Sequence, residues 1–255
     1  MDQPSYARIA ADLRAKIVRG DLAPGVRLPA RHELADEYRA AEGVVRQATE
    51  VLVREGMLVS RPGAGMFVRQ RPQRRSLVRS WFRERQAGSP FAQQMEEQGR
   101  HGTWAYRSDT MQAPPEVRER LGLAVPDGDQ HDVMRTAYVF TSADDEQPWM
   151  LSTSWEPLSL TKGTSIAFPE GGPHAGKGVT HRMAVVGVDV DAWDEEVWAR
   201  TATREEAQQL GIGAGSIVMV AERSYFAGER VVEVADIVVP AESTKLVYNG
   251  PVGDS

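Results

Sequence analysis

LPARHELADEYRAAEGVVRQATEVLVREGMLVSRPGAGMFV, residues 28–68, holds in order a short helix, a tight turn, a second helix and a two-stranded hairpin. Pro29 breaks the preceding chain, and a helix starting at about Ala30 buries Leu34, Ala35 and Tyr38. Arg39-Ala40-Ala41 makes the turn, after which Val45, Ala48 and Leu52 repeat at helical spacing. That repeat turns Glu42, Gly43, Arg46, Gln47 and Glu50 outward. Gly56 stops the helix, and Met57–Ser60 pairs with Met66–Arg69 across Arg61-Pro62-Gly63-Ala64-Gly65. Such an order is a winged helix-turn-helix, whose second helix fits the major groove while the hairpin reaches the neighbouring backbone. Arg46 can bind guanine O6 and N7, and Gln47 can bind adenine N6 and N7. Taken alone, an outward helix face is also what any solvated helix presents, and the glycines at the hairpin tip also suit a plain surface hairpin.

Upstream, Tyr6, Ile9, Leu13 and Ile17 mark a first helix, with Ser5 placed to cap it and Gly20 to end it. Downstream, Gln70–Ser76 (QRPQRRS) is polar and basic without apolar periodicity, and reads as a linker. The boundaries expected are 1–69 for DNA binding, 70–76 for the linker and 77–255 for a second domain. Charge supports the division. Residues 1–75 hold 14 basic and 9 acidic residues, a net of +5, whereas the rest hold 16 and 27, a net of −11. A basic module joined to an acidic one fits phosphate binding at one end and a different partner at the other. The chain has no cysteine, which excludes disulfides and thiolate metal sites. It has neither a signal-like N-terminus nor an apolar run of about 18 residues, so a cytoplasmic protein with no membrane partner is expected.

Residues 5–69 resemble the N-terminal domain of the GntR family of bacterial transcription regulators, through ADLRAKIVRGDLAPGVRLP, ELADEY, VVRQATEVLVREGML and RPGAGMFV. The resemblance implies a homodimer on a roughly palindromic double-stranded operator, touched by both helices and the wing. Arg31, His32, Arg39, Glu42, Arg46, Gln47, Arg61 and Gly65 are the DNA-binding candidates. Two departures stand where DNA is read. The family's Pro-Ser-Glu-Arg is here Pro29-Ala30-Arg31-His32, and its Gly-Val-Ser-Arg turn is Arg39-Ala40-Ala41-Glu42, which removes a Ser cap and an Arg contact. Losing a cap costs about 0.5–2 kcal/mol. An altered operator follows if Glu42 accepts from cytosine N4; weakened or lost DNA binding is the other outcome.

Beyond Leu77 short alternating strands mix with helices. Val133–Thr141 and Trp149–Trp155 read as one strand pair, and Ile217–Phe226 and Val231–Val239 as another. Thr203–Leu210 reads as a helix ended by Gly211. An α+β domain around an antiparallel sheet is expected. PPEVRERLGL, VMRTAYVF, QPWMLSTSWEPL, ATREEAQQLGI and ERSYFAGERVVEVADIVVP resemble the UTRA effector domain of the HutC-like GntR branch, from about Pro90 to Tyr248. The resemblance implies a chorismate-lyase-like sheet, a small-molecule effector and much of the dimer contact. It assigns Arg135 as a clamp for an acidic group, Ser152, Ser154 and Glu233 as pocket positions, and Ser89 to Phe91 as a covering loop. Sugar-phosphate sensors of this branch tend to carry Arg-x-Arg, but Ala137 follows Arg135 here, and Ser152 replaces a common Glu. That disfavours a phosphosugar. Trp149 and Trp155 read first as ordinary sheet-core packing and only weakly as a sign of a flatter or more apolar ligand.

Other motifs are weak. Gly171–Gly178 (GGPHAGKG) lacks the spacing of a phosphate loop and reads as a surface loop. The five histidines show no metal spacing, so no metal or cofactor is expected. The acidic run Asp189, Asp191, Asp194, Glu195 and Glu196 is expected to face solvent. With no Ser/His/Asp set, the chain reads as a ligand-responsive DNA-binding regulator, a repressor in the simplest scheme, rather than an enzyme. An interaction module that has lost DNA binding, and a lyase-like enzyme suggested by fold analogy alone, are the alternatives.

Overall fold

The computed structural model describes residues 5–61, 63–70, 74–80, 88–145 and 147–250. Pro62 of the wing, Arg71, Pro72 and Gln73 of the expected linker, and Glu146 of the turn after the first long strand lie outside them. The chain forms two compact units that divide between residues 73 and 74.

In the first unit, α1 (Ser5–Arg19), α2 (Arg31–Tyr38) and α3 (Glu42–Arg54) precede the hairpin of β1 (Leu58–Arg61) and β2 (Gly65–Val68). Ile9, Leu13, Leu34, Val45, Ala48, Leu52, Leu58 and Val68 make one closed core. These are the positions that helical and strand spacing selects. The turn between α2 and α3 puts Arg39 in the left-handed region (φ 49°), the one such non-glycine among the described residues. That conformation costs an ordinary side chain roughly 1–2 kcal/mol. Ala41 occupies the N-cap of α3 and makes no side-chain cap. At the start of α2 only half a capping box forms, with the Ala30 amide donating to Glu33 Oε2 at 2.6 Å.

The second unit opens with β3 (Arg75–Ser80) and α4 (Pro90–Glu97). Next come β4 (Gly102–Met111), α5 (Pro115–Leu121), β5 (Val133–Ser142), β6 (Met150–Pro157) and the short α6 (Leu158–Thr161). α7 (Val179–Val185), β7 (Ala192–Thr201), α8 (Arg204–Leu210), β8 (Ile217–Ala227), β9 (Arg230–Pro240) and β10 (Thr244–Asn249) complete it. Six strands form an antiparallel sheet in the order β4-β5-β6-β9-β8-β7. The unit is α+β. Leu77, Phe91, Met95, Trp149 and Ile237 pack on one side of the sheet, while Val117, Leu121, Val133 and Trp155 pack on the other. Leu210 of α8 joins Leu151, Val220 and Val238 on that second side.

Two expectations change. Arg75 and Ser76, read as the end of a linker, are the first residues of β3, which pairs in parallel with β10 from Arg75↔Thr244 onward. The partner strand is more than 160 residues away in sequence, and so is invisible to local periodicity. Within the acidic run, Glu195 turns inward, its side chain 1% exposed against Arg223 at 2.7 Å. Strand alternation in β7 sends its neighbours Asp194 and Glu196 outward. No helix among the described residues is long and apolar enough to cross a membrane.

Candidate nucleic-acid interface and ligand pocket

On the first unit, Arg31 from α2 meets Arg46, Gln47 and Glu50 from α3 and Ser60 and Met66 from the hairpin around a groove of about 600 Å³. The outward face of α3 falls there because Val45, Ala48, Thr49 and Leu52 take the buried positions. Arg46 Nη1 is paired with Glu50 Oε1 at 3.0 Å, an exposed i,i+4 contact worth about 0.2–0.5 kcal/mol. A base edge can therefore displace it readily. His32, Arg39 and Glu42 are exposed but lie outside that groove's lining. At the wing, Arg61 stacks over Phe67, 4.6 Å from its centroid. Gly65 has φ 108°, a conformation that favours glycine, and a Cβ there would stand 3.0 Å from Nε on the movable Arg27 side chain.

On the second unit the sheet register builds a pocket. Trp104 faces Phe140 across β4 and β5, Tyr138 faces Ser152, and Thr136 faces Ser154. Ser152 and Ser154 in turn face Ile237 and Ala235 on β9. These side chains share one side of the sheet, and all but the fully buried Thr136 floor a cavity of about 150 Å³, bordered by Ser89, Phe91 and the segment around Lys177. Ser89 also caps α4, its Oγ accepting from the Ala92 amide at 3.4 Å. Glu233 lines the cavity beside Arg223 and Tyr225.

The pocket's charges are strongly organised. Arg182 donates to both oxygens of Glu156 at 2.6 and 2.5 Å, with both side chains almost fully buried. Burial disfavours the Arg182 cation, but the Glu156 carboxylate outweighs it and raises the pKa above the ordinary arginine value. Arg223 donates to Glu195 at 2.9 Å and to the Tyr225 hydroxyl at 2.9 Å. Burial, followed by the fields of Glu170, Glu233 and Glu156, pushes the Tyr138 hydroxyl far up, so it stays protonated. It is available as a donor.

Five expected effector positions, Ser89, Phe91, Ser152, Ser154 and Glu233, come together. Arg135 does not join them. It stands on the opposite side of the sheet, opposite Trp155 in the β5/β6 register and paired with Asp109 at 3.3 Å. The physical reason is parity, since residues 135 and 138 of one strand point to opposite faces. Trp149 and Trp155 are core, 2% and 8% exposed, and neither lines the cavity. The aromatic walls are instead Phe91, Trp104, Tyr138 and Phe140. Sequence reasoning also missed Glu170, Lys177, Arg182 and Arg223. Only GGPHAGKG had drawn notice, as a surface loop, and Gly176, Lys177 and Gly178 from it line the cavity. Among the described residues no group of three or more His, Asp or Glu comes together as a metal site.

Comparison with known proteins gives two family matches: the bacterial regulatory proteins of the gntR family over residues 5–68, and the UTRA domain over residues 97–245. A solved structure assigned to the GntR-family transcriptional regulators is 41% identical, with a TM-score of 0.78 over 98% of this chain and 99% of that one. The HTH-type transcriptional repressor NagR of Bacillus subtilis is 24% identical over 224 residues, covering 88% of this chain and 84% of that protein. PhnF from Mycobacterium smegmatis, 19% identical, shows the same fold with a TM-score of 0.52 over 96% of this chain and 99% of that one.

Proposed function

We infer that this chain, which belongs to the GntR family of bacterial regulatory proteins and carries a UTRA domain, is a cytoplasmic homodimeric repressor released from a palindromic operator by a small molecule. DNA binding is assigned to residues 1–69, through Arg31, Arg46 and Gln47 on the groove and His32, Arg39, Glu42, Arg61 and Gly65 around it. The connection is assigned to residues 70–74, because Arg75 and Ser76 belong to β3. Effector binding and dimerisation are assigned to residues 75–255, through Ser89, Phe91, Ser152, Ser154 and Glu233. Arg135 is left out of the effector set on grounds of its strand face.

The observation that carries this reading is the aromatic cavity in the sheet unit, whose lining includes the arginines of two buried ion pairs. A ligand there can act on DNA binding if the two states of the dimer differ in affinity for it, a coupling typically worth about 1–3 kcal/mol. The repressor NagR supports the sign of regulation by analogy. An enzyme is the weaker alternative. The charged pairs around the cavity are Arg182 with Glu156 and Arg223 with Glu195, which hold one another rather than activate a nucleophile.

The test is a gel shift of the purified protein on its own upstream region against a scrambled duplex at about physiological salt. Preferential binding, released by a metabolite mixture, is expected. A Ser154→Trp variant, which fills the cavity, is expected to bind the operator and ignore the mixture. Release that persists in that variant would move the effector elsewhere. Failure to bind any duplex at low salt would instead favour the reading in which Ala41 and Glu42 have abolished recognition.

A further inference from the structure

The segment Gly171–Gly178 runs over the surface at Gly172, Pro173 and Ala175 and turns into the pocket wall at Gly176, Lys177 and Gly178. At one end, Glu170 accepts a hydrogen bond from Trp104 Nε1 at 3.1 Å, and its carbonyl accepts from the Tyr106 hydroxyl at 3.4 Å. At the other, the Gly178 amide donates to the Gly88 carbonyl at 3.0 Å, so close that a Cβ on Gly178 would lie 3.1 Å from the same oxygen. Lys177, half-buried, is carried between these anchors into the cavity lining.

Each arginine of that lining is held by a carboxylate. Arg182 is bound by Glu156, and Arg223 and Arg79 share Glu195 at 2.7 and 3.4 Å. Glu170 serves the Trp104 indole. Among the described residues, Lys177 is the lining cation that no carboxylate pairs. A half-buried amine at the edge of an aromatic-walled cavity is a ready partner for an anionic group. The same end of the cavity holds Ser89 and the first turn of α4, where the helix dipole also favours negative charge.

We propose that Lys177 is the specificity-determining contact for the effector, and that the effector is a small, singly charged organic acid with a flat apolar body. The carboxylate meets Lys177 at the pocket wall, and the body lies along Phe91, Trp104, Tyr138 and Phe140. Phe140 is stacked on Tyr138 with centroids 5.4 Å apart and 23° between planes, a surface that suits a planar group. A cavity of about 150 Å³ is of the size that admits a benzene-sized ring. Lys177 offers one cation to one carboxylate, while Glu170 and Glu233 in the same lining disfavour a second negative charge. The inference rests on the reading of this cavity as the effector site.

Isothermal titration of the full-length protein with benzoate, benzamide and benzylamine tests it, in wild type, Lys177→Gln, Lys177→Arg and Ser154→Trp. Benzoate is expected to bind wild type and Lys177→Arg roughly 10–100-fold more tightly than benzamide, the range for a hydrogen bond to a charged partner. That preference is expected to vanish in Lys177→Gln while benzamide binding is retained. Binding of all three probes with similar affinity, abolished by Ser154→Trp but indifferent to Lys177→Gln, would leave the cavity as the ligand site and overturn the role of Lys177. Binding that survives Ser154→Trp, or no binding by any probe, would overturn both.

Discussion

Arg46 shows how much a single position can and cannot declare. The helical repeat of Val45, Ala48 and Leu52 puts it outward, and the structure places its guanidinium in the same groove as Gln47 and Arg31. Its partner Glu50 holds it in an exposed contact, so in the proposed DNA-binding role the pair would be a loosely latched reader. Replacing Arg46 by Ala is expected to weaken specific operator binding by about 1–3 kcal/mol and to leave the thermal midpoint nearly unchanged. Fluorescence anisotropy with specific and scrambled duplexes checks this. Equal losses on both duplexes would make Arg46 a phosphate contact, and no loss would remove it from the interface. Arg135 teaches the opposite lesson, because the family resemblance pointed to a clamp while its strand face, which depends on one-residue parity, turns it to the other side of the sheet.

Among elements, α8 offers the clearest physical test. Thr203 Oγ1 accepts from the Glu206 amide at 3.2 Å, Glu206 Oε2 accepts from the Thr203 amide at 2.8 Å, and Arg200 reaches both Glu206 oxygens at 2.6 Å. The Arg200 hydrogen bonds, against an opposing burial cost, hold the Glu206 carboxyl below its ordinary value of 4.5. A carboxyl lowered in the folded state stabilises it above its unfolded value, and the contribution fades as pH falls through the lowered one. Glu206→Gln is thus expected to cost about 1 kcal/mol near neutrality, with urea midpoints of variant and wild type converging as pH drops below about 4.5. A gap that ignored pH would show that the carboxylate's charge is irrelevant there. The Gly211 stop of this helix was read from ATREEAQQLGI, and the Thr203–Glu206 capping box that the structure adds is equally local. β3 was not legible in the sequence, because its hydrogen bonds go to β10.

Across the molecule, the net charges of +5 on residues 1–75 and −11 on the rest, from 14 against 9 and 16 against 27 ionised residues, assign phosphate contact to one end. Each phosphate contact contributes about −0.9 to the slope of log affinity against log salt. Arg31→Ala is expected to flatten that slope by about 0.9 per chain and to weaken operator and scrambled duplex alike. An unchanged slope would place Arg31 away from the phosphates. Arg182 and Glu156, which form a buried pair between α7 and β6, are in turn the sort of contact whose removal on one side costs about 3–5 kcal/mol. Probes of the pocket are therefore better placed at Ser154 or Lys177.

What the sequence determined by itself is the pair of modules and their order. Helix period, turn residues, strand alternation and charge division act over a few residues and survive without knowledge of the rest. The family resemblance picked out Ser89, Phe91, Ser152, Ser154 and Glu233, but only tertiary structure joined Trp104, Tyr138 and Lys177 to them and turned Arg135 away. Trp104, Tyr138, Ser152, Glu233 and Lys177 come from five distant parts of the chain, and successive strand residues point to opposite faces. A register read one residue out would exchange the cavity wall for the far side of the sheet.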